Sequence, residues 1–495
     1  MPTFILSDLF SSTDLGSPHI KIEHASRSTL HTNTYELIID QFSQKKTAFF
    51  RIHGGHKFNF ICDKSYKFEH FVSGGYIGKP INTSAPILWV PKLPIKRKIN
   101  QTNQIMSENS ISLHDLEWKN HNLVFSIISP KNSKIDLVIW SFPATFPIEE
   151  IIALSSIETQ GYFLWGSHGC VKAPSDLYQH LIHGSVYDLR YSWPNNKKCF
   201  SENEAHALYT VYSGLEKSTG KSLYRFLQLQ IILSVIQRQS DDGGWYHGMW
   251  TDSSECHYRL HTSALHLLMD EYQRTPCPTI EKSLKKGIAF LSKTTDTLSC
   301  GIWFLHDSLE LSEEAMNNGP FNWIPNKTLD KSTSNMLVLN THLDSTIAIN
   351  RYQQITDDNQ YTDLIKSALQ STRSVLSLKP ADWLYKPLFW AIGLTMLPTE
   401  TASQLPFHVR AVKRIAWKYL IKKLPDIKAK FPRLVMPNGY IDRELSLRTW
   451  AIDYQTINLM DLARYAHAFP GAFDENILDS SLKFTQTSGL IKRYR

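Results

Sequence analysis

The sequence predicts a chain of two folds. An antiparallel, sandwich-like or barrel-like β domain occupies residues 1–145, a connecting segment 146–200, and an array of helical hairpins 201–495. Three observations predict this. The length, 495 residues, exceeds what one ordinary core accommodates. The first part consists of short alternating or β-branched runs between Gly, Asn, Ser and Pro. After Ser201 the periodicity becomes helical, and one kind of polar turn recurs between amphipathic stretches.

The strand-like runs are HIKIEHA (19–25), YELIIDQF (35–42), TAFFRIH (47–53), KFNFIC (57–62), NLVFSIIS (122–129) and KIDLVIWSF (134–142). The polar, basic KLPIKRKINQTNQ (92–104) reads as a loop. Ser201-Glu202-Asn203-Glu204 is a capping box, with serine accepting from first-turn amides and Glu204 reaching back. It opens a helix to about 216, and a second follows over about 220–239. The segments 214–227, 270–284 and 351–365 each place a polar turn between two amphipathic stretches. Further helices are expected near 381–396, 405–423, 450–468 and 474–487. A lone hairpin cannot bury its apolar face, so the set must stack around a ring or solenoid.

The apolar and charged fractions, 42% and 20%, exclude a disordered chain. Aromatics are abundant: 13 Trp, 21 Tyr and 24 Phe, which suit sugar faces and also simply fill cores. A net charge of +7 with no recognisable motif argues against a nucleic-acid partner. MPTFILSDLFSSTD has no basic segment followed by an apolar one, and no run of 18 apolar residues exists, so a cytoplasmic location is expected. The six cysteines form no CxxC pair and read as free thiols.

Three stretches could carry chemistry. In 241–261, two glycines expose Trp245, Tyr246, His247 and Trp250, with Asp252, Glu255, His257 and His261 following. His257 and His261 share a helix face at a metal-compatible spacing, but no third ligand accompanies them, so no metal and no cofactor is expected. The bland alternative is a structural turn with Asp252 as a cap. In 331–352, Asn340, His342 and Asp344 interrupt an apolar helix, which reads as a polar row or a satisfied core histidine. In 437–462, a Pro-Asn-Gly turn precedes Tyr440, Asp442, Arg443 and Glu444, then Trp450, Asp453, Tyr454 and Asn458. Removing a proton alpha to a carboxylate needs a base tuned by positive charge and an acid on the other face. Two tyrosines can play these parts, with Arg443 clamping the carboxylate.

Tyr440-Ile441-Asp442-Arg443, followed by Arg448-Thr449-Trp450-Ala451-Ile452-Asp453-Tyr454-Gln455-Thr456-Ile457-Asn458, resembles the C-terminal signature of the glucuronyl C5-epimerase family. Gly243-Gly244-Trp245 and Val338-Leu339-Asn340 are similar to further segments of that family, in the same order. The resemblance covers about the last 290 residues. It implies β-rich parts before an α/α toroid, Tyr440 and Tyr454 as catalytic tyrosines, and an anionic glycan or lipid-linked oligosaccharide as partner. This chain lacks the family's tyrosine-rich segment, having Trp323-Ile324-Pro325-Asn326-Lys327 there, and carries two extra residues between Trp450 and Asp453. Lyase, hydrolase and non-catalytic glycan-binding alternatives stay open, with Asp242, Asp252, Glu255, Asp442 and Asp453 as carboxylates for hydrolysis.

Ser167-His168-Gly169-Cys170-Val171-Lys172 resembles the nucleophile motif of L,D-transpeptidases. However, Pro143–Gly166 holds no histidine and lysine replaces the usual arginine, so a turn before a helix near Pro174 is the preferred reading. Residues 405–433 place Arg410, Lys413, Arg414, Lys418, Lys422, Lys423, Lys428, Lys430 and Arg433 against one acid, Asp426. Apolar residues recur at Val409, Val412, Ala416, Tyr419 and Leu420. Such a helix suits a peripheral contact with an anionic inner-membrane face or a polyanionic glycan, or is a solvated face on a packed helix.

Overall fold

The computed structural model describes residues 194–446 and 451–490 without a break, and before them the strands and short stretches named here, from residue 34 onward. The run at 19–25 and Trp450 lie outside the described residues. The chain divides into two compact units: residues 1–239 with 247–254, and 240–246 with 255–495.

The first unit holds two larger sheets. One orders the strands Thr34–Ile38, Lys57–Ile61, Asn122–Ile128 and Leu116–Lys119, the first pair parallel and the others antiparallel. The other is antiparallel and centres on Lys134–Phe142, which pairs with Thr47–His53, Ile87–Val90 and Ile95–Ile99. The expected loop at 92–104 therefore contains a strand. Ile95–Ile99 pairs with Ile105–Ser110, and the buried Arg97 meets Glu108 of that strand at 3.3 Å. A neighbouring strand's carboxylate thus makes a basic run compatible with a sheet. Ser167–Cys170 is also a strand, hairpinned on Gly161–Leu164, rather than a turn.

Helices α1 (Glu202–Thr219) and α2 (Ser222–Arg238) cluster with this first unit. Ser201 caps α1 by accepting from the Glu204 amide, and Gly220 ends it in the left-handed conformation. Phe226 of α2 meets Trp140 and Phe142 edge-on, with centroids at 5.1 and 4.7 Å. These aromatic contacts explain why the pair belongs with the sheets.

The second unit is built mainly of helices, with a short antiparallel hairpin of Thr295–Leu298 and Gly301–Phe304. Helix α3 (Tyr258–Arg274) is followed by α4 (Pro278–Leu291), α5 (Leu339–Thr356) by α6 (Thr362–Leu376), and α7 (Asp382–Thr395) by α8 (Phe407–Ile415). A π-helical segment, Ala416–Leu420, joins α8 to α9 (Ile421–Lys430); then come α10 (Tyr454–Ala468) and α11 (Asn476–Thr487). Pro278 starts α4 and Asp357 ends α5 with positive φ, so two of the anticipated polar turns join helix pairs here. The third joins α1 to α2.

Side-chain pairing fixes helix direction. Arg259, Thr262 and Asp270 of α3 reach Asn340, Asp344 and Arg351 of α5 in that order, so α3 and α5 run parallel. Each is followed by its own return helix. The starts of α3 and α5 therefore lie together, beside polar residues of α10. Among the described residues no helix is long and apolar enough to cross a membrane, and Cys199, Cys256, Cys277 and Cys300 are free thiols.

Candidate functional site

The parallel helices carry buried ionic groups where an apolar seam would be expected. The Arg259 guanidinium donates to the Asn340 carbonyl and to Asp461 Oδ1, both at 3.0 Å, and lies 3.3 Å from Asp344 Oδ2. Arg464 Nη1 donates to Asp344 at 2.8 Å and to Asp461 at 3.0 Å. Thr262 and His266 complete the shell of Asp344 at 2.5 and 3.2 Å. Burying charge is costly unless it is paired, and here it is paired. Burial alone would raise the Asp344 pKa, but the facing arginines and His266 hold it well below the ordinary value. For Asp461, burial and the neighbouring Asp344 charge win, and its pKa is raised.

Beyond this floor, backbone bonds bring two histidines together. The Tyr258 amide donates to the His306 carbonyl and the Ser308 amide to the Cys256 carbonyl, so 256–258 and 306–308 pair. The rings of His257 and His306 stand 4.3 Å apart, edge to face. Asp307 and Glu310 form a capping box that fixes the second segment. Burial, then the charges of His257, Arg443 and Arg259, hold His306 neutral. Arg443 can only donate, so the 2.8 Å contact makes His306 Nε2 the acceptor. The ring proton then sits on Nδ1, which donates to Thr341 Oγ1 at 2.6 Å.

Arg443 is held from several sides. Its carbonyl accepts from the Leu339 amide, which ties 443–446 alongside the start of α5. Its guanidinium carbon lies 4.7 Å from the ring centroid of the half-buried Tyr454, the first residue of α10. Its Nε is 3.6 Å from Glu444, whose two buried carboxylate oxygens have no hydrogen-bond partner among the described residues. Burial and Asp442 push the Glu444 pKa up against the pull of Arg443 and Lys428. Burial raises Glu310 to about 7, although the amides of Met336, His306 and Asp307 point at it. The side-chain oxygens of Asn340 and Asn458 and Oδ2 of Asp461 also have no partner among the described residues.

Of the residues anticipated from sequence, Arg443, Tyr454, His257 and Asn340 belong to this constellation. Asn458 braces it by donating to the carbonyls of Ile441 and Asp442 at 3.2 Å. Asp442 is a buried brace, bound to Lys428 and accepting from the Arg443 amide at 2.9 Å. Tyr440 is fully buried, lies between Phe389 and Phe484, and donates its hydroxyl to Asp442 at 3.0 Å. Its hydroxyl is engaged in the core rather than presented to a cleft.

His342 is a core histidine. It stacks on Trp303 at 3.8 Å, accepts the Phe304 amide on Nδ1 and meets Thr372 on Nε2. Burial holds its pKa at about 3. Trp245 is fully buried against His261, whose Nε2 donates to the Gly287 carbonyl. Glu255 is buried, and Asp453 is exposed just ahead of α10. His247, Trp250 and Asp252 belong to the first unit, where His247 pairs with the buried Glu202 and the exposed Asp252 accepts from Asn195 at 2.9 Å. Sequence reasoning missed His306, Arg259, Glu310, Glu444 as a site carboxylate, and Asp461. The Asp307–Glu310 capping spacing was a usable signal beside His306. The others are joined only through long-range contacts. Among the described residues, no group of His, Cys, Asp and Glu is arranged to hold a metal.

No protein-family model and no curated protein matches the chain. A solved structure to which it is similar is the GH76A alpha-1,6-mannanase from Salegentibacter sp. HEL1_6, at 13% identity and a TM-score of 0.28. The match covers 54% of this chain and 76% of that one. A likeness at this level assigns neither fold nor activity.

Proposed function

We propose that the second unit acts on a uronic-acid-containing glycan, exchanging the proton at C5, and that its hairpins form an incomplete α/α toroid that follows a sandwich-like β domain along the chain. The observation that carries this reading is Arg443. It is a largely buried guanidinium stacked over Tyr454 and bonded to a neutral histidine, His306, and the partly buried Arg259 acts electrostatically on the same tyrosine and histidine. Guanidinium groups bind planar carboxylates in a fork, and a bound carboxylate stabilises the charge left on C5 when its proton departs. In this reading Arg443 holds the substrate carboxylate, and Tyr454, over which it is stacked, is the base at C5. His257 returns a proton to the opposite face, inverting the centre. Its Nδ1 accepts the Arg259 amide at 3.3 Å, which leaves the proton of the neutral ring on Nε2. Tyr440 has no part in the step because its hydroxyl is engaged with Asp442.

The test is deuterium uptake. Full-length protein is incubated in heavy water with a panel of uronic-acid glycans, and C5 is examined by NMR and mass spectrometry. Label in intact chains is expected, with Tyr454→Phe abolishing it and Arg443→Lys reducing it at least about a hundredfold. Undiminished labelling by Tyr454→Phe would overturn the assignment. A second reading is favoured by Glu444 and Glu310, buried carboxyls with raised pKa of the kind that donates protons to a leaving oxygen. That reading predicts new reducing ends and no C5 label.

A further inference from the structure

We propose that α7, α8 and the π segment form a docking surface for an anionic lipid bilayer. The proposal is independent of the chemistry suggested above. Trp383 and Trp390 are seven residues apart on α7, on one stripe, and are 75% and 54% exposed. Phe407 and Trp417, on α8 and the π segment, are 77% and 69% exposed. Both parts rest on one apolar cluster. Tyr385, Leu388, Phe389 and Ile392 of α7 enter it, and Leu420 packs against it from the π segment. Their other faces thus carry large aromatic rings outward. No residue of α8 is fully buried, and its Ile415, like Phe407, is exposed.

Charge selects the occupant. Of the nine basic residues at 405–433, Lys428 and Arg433 turn inward to Asp442 and Asp382. Arg410, Arg414 and Lys418 follow one another at four-residue steps and are exposed among the aromatic residues. A second copy of the chain would set like charges against one another. A soluble polyanion would satisfy the charges and leave the indoles in water. A bilayer interface rewards both, with Trp at headgroup depth and Lys/Arg on anionic lipid. With no spanning helix among the described residues, the contact is a surface one.

The experiment is flotation of the full-length protein with vesicles of phosphatidylglycerol and phosphatidylcholine in equal parts, against phosphatidylcholine alone. Binding to the mixed vesicles only, weakened by salt, is expected, with indole quenching by brominated lipid. Arg410→Glu/Arg414→Glu/Lys418→Glu should lower vesicle affinity by at least about a hundredfold. Trp383→Ala/Trp390→Ala/Trp417→Ala should lower it more than about tenfold and remove the quenching. These positions are exposed, and circular dichroism of each variant is the check on folding. Failure to float with mixed vesicles, binding that neither variant reduces, or loss of an intermolecular dimer as the only effect of the variants would each overturn the proposal. So would binding of a soluble anionic polysaccharide at this face without vesicle binding.

Discussion

Asp344 and Asp461 share two arginines, yet their pKa values move in opposite directions, and this separates their variants. Asp344 accepts from Thr262, His266 and Arg464 and faces Arg259 at 3.3 Å. Asn at position 344 leaves those cations short of a charge. Breaking a buried pair from one side costs about 3–5 kcal/mol. The Arg464 side chain is 38% exposed, which screens its share, so about 3 kcal/mol is the expectation for Asp344→Asn. The Asp344 pKa is depressed in the fold, so its stabilisation is present above the unfolded value of about 3.9 and lost as pH falls through the folded one. The gap between wild type and Asp344→Asn is therefore full at neutral pH and closes below about pH 4. For Asp461 the sign reverses. Its folded pKa is raised, so its contribution is present below the unfolded value and is lost as pH rises through the folded one. Asn at 461 still accepts from Arg259 and should cost under about 1 kcal/mol. Urea titration with hydrogen exchange read over 258–274 reports on this unit alone, which matters because a two-unit chain need not unfold in one step. Equal losses in the two variants, or a pH-independent gap for Asp344→Asn, would refute the assignment.

Two further outcomes follow from single positions. Burial depresses His342 to about 3. Its contribution is thus complete above the unfolded value near 6.5 and is lost as pH falls toward 3, at about 1.4 kcal/mol per unit at most. His342→Gln should flatten that slope in stability measured between those limits, and an unchanged slope would refute it. Gly439 has φ +90° and a Cβ there would collide with the Ser480 carbonyl. Gly439→Ala should therefore cost more than about 1 kcal/mol in urea titration and lower activity by shifting 440–446; a neutral effect would contradict this backbone.

The hairpins after Ser201 were legible because their signals are local: the Ser201 cap, Gly220, Pro278 and the polar turns each lie within a few residues of the end they define. The strand at Ile95–Ile99 was not, because what makes Ile-Lys-Arg-Lys-Ile a strand is Glu108 on its neighbour. The same distinction divides the site. Arg443 and Tyr454 could be found because they lie in one patterned stretch. His306 lies 137 positions from Arg443, and Arg259 lies 202 from Asp461. No periodicity connects such pairs. Tyr440 shows the converse: it matches the pattern, but the apolar cluster of Phe389 and Phe484 determines where it points.

The placement of Arg259 argues that stability alone did not shape this region. It is the second residue of α3, in the first turn, where helix dipoles disfavour a cation. Its partners Asp344 and Asp461 are nearly fully buried, and buried ion pairs can often be replaced by apolar side chains without loss. Instead the helix start holds an arginine beside His257, and a further arginine stands over Tyr454. Carboxylates beneath and beside them share the positive charge. Breaking two local rules in one place, with no gain to the core, is what is expected where a region recognises something outside itself.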